Sequence, residues 1–221
     1  MRGKLIVFEG IEGSGKTTQI QHLSRWLEAS LTEGNLSRYS TGVIVTRQPG
    51  GTCIGQHIRQ ILLNPSLASE KLTSTSELLL YAADRAQHVE QTLLPGLKAG
   101  YLVLCDRYTA STVAYQGYGR QLDLDLINKL NTIATGGLAG DLTLWLKLDV
   151  EEGLGRMSAR GEADRIEQAG LDFHRRVNQG FEAQAKQQEH FIAVDGSLNQ
   201  EAVAEQIQAI VSEYLQTWYA F

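Results

Sequence analysis

The sequence predicts an α/β fold in three layers, with a five-stranded parallel sheet between helices. Three observations carry that prediction. Short apolar runs alternate with stretches of helical periodicity from one end of the chain to the other. A Gly-rich loop sits between the first such run and the first helix. Only three prolines interrupt the pattern, and no repeat or low-complexity tract breaks it.

The elements follow in order. Lys4–Glu9 (KLIVFE) reads as a buried strand, and Thr17–Leu31 as a helix with Ile20, Leu23, Leu27 and Leu31 on one face. Val43–Arg47 is a second strand. Ile54, Ile58, Ile61 and Leu62 mark a helix that stops near Pro65. Ser76–Leu94 reads as a long helix ended by Pro95. Leu102–Asp106 is a third strand, Leu124–Ala134 a helix and Leu142–Leu148 a fourth strand. Helical stretches follow around 151–160 and 171–188, then a short fifth strand at His190–Val194. Val203, Ile207, Ile210, Val211, Tyr214 and Trp218 mark an amphipathic C-terminal helix. Residues 32–42 are polar and read as an exposed loop without chemistry.

Composition narrows the function classes. With 221 residues, 43% hydrophobic and 20% charged, the chain suits one large domain, taken as 1–221. A net charge of -5 argues against a general nucleic-acid binder, which needs a basic face. Cys53 and Cys105 have no metal-ligand spacing. No apolar run is long enough to span a membrane, and a cytoplasmic protein with reduced thiols is expected. None of the five histidines has metal or triad spacing, and His88 is given no chemistry.

Chemistry enters at GIEGSGKTT, residues 10–18. Gly10, Gly15, Lys16 and Thr17 fit the phosphate-loop pattern G-x-x-x-x-G-K-[ST], with a strand before and a helix after. Glycines let backbone N–H groups of Gly10, Ile11, Glu12, Gly13, Ser14, Gly15 and Thr18 turn toward an anion. Lys16 reaches the β- and γ-phosphates, and the Thr17 hydroxyl is suited to Mg²⁺. The guanine-reading N-K-x-D segment of a GTPase is missing. The third strand ends in Asp106–Arg107, a carboxylate for Mg²⁺ or its water beside a phosphate-binding cation. That pair suits a site for two phosphorylated substrates placed end to end.

The segments FEGIEGSGKTTQ (8–19), TRQPGGT (46–52), ELLLYAADRAQHV (77–89), DRYTASTVAYQG (106–117) and RGEADRIE (160–167) resemble bacterial thymidylate kinases of the P-loop nucleoside-monophosphate kinase family. The resemblance implies a P-loop kinase fold with a short lid at about 153–167. It implies transfer of the ATP γ-phosphoryl group to dTMP with Mg²⁺ (ligands Thr17 and Asp106), and a homodimer. It makes Lys16, Arg107, Arg160 and Glu12 the catalytic set. Glu12 is expected at the deoxyribose 3′-hydroxyl or a water beside it. Arg47 is expected on the dTMP phosphate, Tyr81 stacked on thymine and Arg85 donating to its O4. Ser111, Thr112, Tyr115 and Gln116 are expected along the pyrimidine edge and sugar, with Tyr115 crowding C2′.

Gly13 stands where some relatives carry a loop arginine, so the lid is expected to supply the cation. Arg156, Arg160 and Arg165 are the candidates: Arg160 is taken to close over ATP and Arg156 to pack on adenine, but the pattern does not choose firmly among the three. Two rivals remain at this stage. One is a kinase for another monophosphate or a deoxynucleoside. The other is a regulatory P-loop ATPase, in which TRQPGGT and the DRY segment have no evident purpose.

Overall fold

The computed structural model describes residues 1–33, 36, 39–64, 72–158 and 165–219. Its centre is a five-stranded parallel sheet: β1 (Lys4–Glu9), β2 (Val43–Arg47), β3 (Leu102–Asp106), β4 (Leu142–Lys147) and β5 (Phe191–Asp195). The spatial order is β2-β3-β1-β4-β5. The connections leaving the neighbouring strands β1 and β3 therefore run to opposite sides, from β1 to β2 and from β3 to β4. Such a divergence opens a crevice beyond the carboxyl ends of the strands. The register makes those ends level. Phe8 and Arg47 both lie opposite Asp106, and Glu9 lies opposite Trp145.

Alternation along the strands builds a core on each face. Ile6, Phe8, Leu104 and Leu144 face α1 (Lys16–Thr32) and α9 (Gln200–Tyr219). Leu5, Val7, Val103 and Cys105 face the other way, onto Val89, Leu93 and Leu97. Further along that second face, Trp145 and Phe191 pack with Tyr115 and with Phe173, Val177 and Phe181 of α8 (Leu171–Ala185). The strand side chains in these clusters are essentially fully buried, each worth about 1.5–3 kcal/mol of transfer free energy.

All five strands stand where the sequence puts them, within a residue or so at each end. The helices hold two corrections. Helix α2 (Cys53–Leu63) is as expected, but α3 (Ser74–His88) does not stop at Pro95. It runs through a π-helical turn, Val89–Leu93, into α4 (Leu94–Lys98). Pro95 falls in the first turn of α4, where a missing N–H costs little. The segment after β3, read only as a motif, is also helical. It forms α5 (Thr109–Thr112) and a π-helical stretch, Val113–Gly119, before α6 (Leu124–Thr135). Its glycines hid it from a periodicity reading. They are contact points: a Cβ on Gly119 would lie 2.6 Å from Phe173 Cε2. Helix α7 (Val150–Ser158) begins the predicted lid, whose residues 159–164, with Arg160, lie outside the described residues.

Candidate active site

Between β1 and α1 the chain makes the phosphate loop. Gly10, Gly13 and Gly15 all have positive φ, of 141°, 74° and 87°. Gly15 caps α1 and no side chain among the described residues caps the helix's first N–H groups, which suits an anion there. Gly13 has a second reason to be glycine. A Cβ there would collide with the carbonyl oxygen of Gly153 in α7, and a Cβ on Gly153 would in turn meet Glu12 O at 2.8 Å. The lid helix is thus seated directly on the loop, and no arginine fits at 13.

Lys16 is folded back onto the loop. Its Nζ donates to the carbonyls of Gly10 at 3.0 Å and Ile11 at 2.8 Å, and to Ser14 Oγ at 3.3 Å. Burial, and then the like charge of Arg107, bring its pKa down to about 8. Thr17 and Asp106 line the same cleft. The Oδ1 of Asp106 is buried and has no hydrogen-bond partner among the described residues.

Arg107 links this loop to the next wall. It has a left-handed φ of 68° at the end of β3, a costly conformation for a non-glycine residue. The twist sends its guanidinium under the loop: Nη2 donates to Glu12 Oε1 at 2.7 Å, and Nη1 donates to Gly10 O at 2.9 Å and Ser111 Oγ at 3.1 Å. Tyr115 donates its hydroxyl to the other Glu12 oxygen at 2.6 Å, and the Arg107 guanidinium lies 5.0 Å from its ring centroid. Burial pushes the Glu12 carboxyl up, but the charges of Arg107 and Lys16 and the Tyr115 hydroxyl outweigh it, and its pKa lies below the ordinary range. Glu9, on the last residue of β1, anchors the wall from below. It accepts from Ser111 Oγ at 2.6 Å and from the backbone N–H groups of Tyr108 and Ser111. Burial raises its pKa despite those bonds.

The far wall comes from α3 and the segment after β3. Tyr81 and Arg85, one turn apart on α3, both line the cleft. Arg85 is fully buried. Its Nε donates to Gln48 Oε1 at 2.9 Å, its Nη1 to Thr112 Oγ1 and Asn131 Oδ1 at 2.8 Å each, and its Nη2 to the Tyr108 carbonyl at 2.9 Å. Among the described residues no carboxylate forms an ion pair with it. Gln116 donates to Glu77 Oε1 at 2.8 Å. Glu77, 1% exposed, also holds Arg120 at 3.1 Å and Arg165 at 2.6 Å.

These residues enclose one cleft of about 280 Å³. It brings together Glu12, Gly13, Lys16, Thr17, Arg47, Tyr81, Arg85, Asp106, Arg107, Ser111, Thr112, Tyr115 and Gln116. Gly10, Ile11, Ser14, Gly15 and Thr18, also predicted, are not among the lining residues, though Gly10, Ile11 and Ser14 hold the Lys16 ammonium. Arg156 lies away from the lining. Its Nη2 pairs with Glu152 at 2.6 Å and its Nη1 donates to the Gly196 carbonyl at 3.2 Å. Arg165, the third lid cation, is committed to Glu77 and to the Leu62 carbonyl at 2.7 Å. Sequence reasoning missed Gln48, Arg59, Leu63, Ile166 and Glu167 in the lining, and Glu9 beneath it. The only signal was position: Gln48 stands inside TRQPGGT, Ile166 and Glu167 inside RGEADRIE, and Glu9 beside the phosphate loop.

A cation-rich cleft with a phosphate loop at one end and an aromatic pocket at the other agrees with what the chain is similar to. The profile described as "Thymidylate kinase" matches residues 8–207. The chain belongs to the thymidylate kinase family. It is 52% identical over 222 residues to the thymidylate kinase of Trichodesmium erythraeum (strain IMS101), covering 99% of both chains. It is 54% identical over 218 residues to that of Nostoc punctiforme (strain ATCC 29133 / PCC 73102), covering 98% of this chain and 99% of the other. The crystal structure of thymidylate kinase from Ehrlichia chaffeensis superimposes with a TM-score of 0.75 at 30% identity, over 96% of this chain and 100% of that one. Thymidylate kinases are phosphotransferases. Membership leaves no room for the regulatory ATPase as the simpler reading.

Proposed function

We propose that this chain transfers the γ-phosphoryl group of ATP to the 5′-phosphate of dTMP, giving dTDP and ADP for dTTP synthesis. One observation carries the reading. Arg107 bonds both to the phosphate loop, through Gly10 and Glu12, and to Ser111 in the wall beside the aromatic pocket. Two phosphorylated ligands, one at each end, would meet at that guanidinium.

The backbone of residues 10–18 cradles the ATP phosphates, and Lys16 swings from the Gly10 and Ile11 carbonyls onto them. Arg47 grips the dTMP phosphate in a two-point contact. Tyr81 stacks on the base, Arg85 donates to its O4 through the Nη2 hydrogen that no described residue engages, and Thr112 and Gln116 line the pyrimidine edge. Ser111 holds Arg107 in place. Tyr115, fixed against Glu12 at 2.6 Å, presses on the sugar at C2′, and Glu12 is directed to its 3′-hydroxyl. Transfer is in-line between two phosphates, so no protein nucleophile is required. Lys16, Arg107 and the lid cation Arg160 neutralise charge that develops during transfer.

The orphaned Asp106 Oδ1 and the Thr17 hydroxyl, in the same cleft, fit a divalent cation. Bound Mg²⁺ would neutralise phosphate oxygens. Kinase sites usually complete such a shell with phosphates and water, so the lack of a three-ligand cluster among the described residues does not count against it. The chain is taken as one domain, 1–221, with its lid at 153–167, working in the cytoplasm. No helix among the described residues is long and apolar enough to cross a membrane. Leu79, Leu94, Leu126 and Ile133 are 51%, 43%, 45% and 76% exposed on neighbouring helices, an apolar face suited to a second copy of the chain.

Turnover of dTMP, dUMP, dCMP, UMP and thymidine with ATP tests the reading. Fastest use of dTMP is expected. Preference for dCMP or thymidine would sink it.

A further inference from the structure

His88 was given no chemistry by the sequence, yet the loop 46–51 is folded around its ring. Three residues of TRQPGGT touch it. Thr46 Oγ1 lies 2.6 Å from Nε2, and Gln48 Nε2 lies 2.8 Å from Nδ1. Gly51 leaves no room for more than hydrogen: a Cβ there would sit 2.5 Å from both Cδ2 and Nε2 of the imidazole. The ring is fully buried.

The protons in this chain of contacts can be placed by elimination. Arg85 Nε can only donate, so the Gln48 atom facing it at 2.9 Å must be the carbonyl oxygen. The amide NH₂ of Gln48 then points at His88 Nδ1, which must offer a lone pair. The ring proton is therefore on Nε2 and is donated to Thr46 Oγ1. Any other arrangement sets two donors against each other at one of these contacts.

We propose that His88 is a positioning residue: as the neutral ring protonated on Nε2, it dictates the orientation of the Gln48 amide and thereby the seat of the Arg85 guanidinium. Burial, and next the nearby Arg85 charge, bring the imidazole pKa down to about 4, in keeping with an uncharged ring. Among the described residues no other charged group bears on it, and the loop meets it with Thr46, Gln48 and Gly51. Arg47 lies between the first two of these and opens to the cleft. One buried ring thus sets both the loop that carries Arg47 and the partner that orients Arg85. The role of Arg85 toward the base rests on the function proposed above; the tautomer does not.

Nitrogen-15 NMR of histidine-labelled full-length enzyme tests the first half. His88 should show the Nε2–H tautomer and no titration between pH 5.5 and 8, set well above its pKa of about 4. A proton on Nδ1, or titration near the ordinary histidine value, would overturn the proposal. Kinetics test the second half. His88→Phe should raise KM for dTMP about tenfold, on the order of one lost oriented contact. Its discrimination against dCMP should narrow, while kcat and KM for ATP move by less than about twofold. His88→Asn, whose Oδ1 can accept from Gln48, should recover most of the loss. Equal rises in both KM values, or an Asn variant no better than Phe, would refute a positioning role. If the wild-type enzyme did not use dTMP, the functional reading would fail while the NMR result stood.

Discussion

The two ends of the cleft are built in opposite ways. The phosphate-loop end is local and made mostly of backbone. Nine consecutive residues, 10–18, supply its amide groups, its helix N-terminus and its one lysine. The aromatic end is non-local and made of side chains. Arg85 alone is held by Gln48, Tyr108, Thr112 and Asn131, drawn from three other segments. A polyphosphate asks only for charge and N–H groups, which a loop can offer by itself. A base asks for one donor at one place, and that place has to be fixed from several sides. Arg107 belongs to both ends.

This contrast predicts that damage at each end stays there. Lys16→Ala should have the largest effect, lowering kcat by about 10²–10³-fold, as expected for loss of one donor to developing charge. Affinity for dTMP, measured without ATP by calorimetry, should change by less than about threefold, which is under 0.7 kcal/mol. A parallel loss of dTMP affinity would mean that the two ends are one electrostatic unit. Arg85→Ala should come next. It removes a charged donor and leaves Gln48, Thr112 and Asn131 with unfilled bonds, so KM for dTMP should rise about 100-fold while KM for ATP stays close to its wild-type value. Equal losses for both substrates would break the comparison from the other side.

Legibility in the sequence follows the same division. The sheet was readable because Leu5, Ile6, Val7 and Phe8 form a run with cores on both faces, and the other strands repeat that pattern. The loop was readable because its ligands are contiguous. The segment 109–119 was not readable as helix, since close packing on Leu124 and Phe173 put glycines at 117 and 119, where periodicity needs side chains. Pro95 misled for a local reason: a π-helical turn before it absorbed the break. In the aromatic pocket the resemblance found Tyr81 and Arg85. It gave no role to Glu9, Gln48 or His88: they lie inside the matching segments, but Glu9 acts through Ser111, Gln48 through Arg85 and His88 through Gln48, contacts that only the fold creates. Gly13 is a middle case. Its missing arginine was visible, but the cause, contact with Gly153 of α7, needed the fold.

The mildest test uses pH alone. Lys16 loses its proton near pH 8 in the empty enzyme, well below an ordinary lysine, because burial and the Arg107 charge disfavour the ammonium. The lowered value fixes the sign: the cation is present below about pH 8 and is lost above it. The ratio kcat/KM for ATP reports the free enzyme, so it should fall on the alkaline side with a midpoint near pH 8. With ATP bound, its phosphates favour the charged form, and the limb in kcat should move to higher pH. Neither Arg85 nor Tyr81 at the aromatic end titrates in this window. Arg85 stays charged even with its pKa lowered by burial, and the Tyr81 hydroxyl is pushed up by burial. Varying dTMP at saturating ATP should therefore give a kcat/KM that is nearly flat from pH 7 to about 8.5. Profiles measured with each substrate in turn would separate the ends by a few-fold at pH 8.5. Coincident alkaline limbs would show that the lysine serves both substrates, and that the end built from backbone is not as self-contained as its geometry implies.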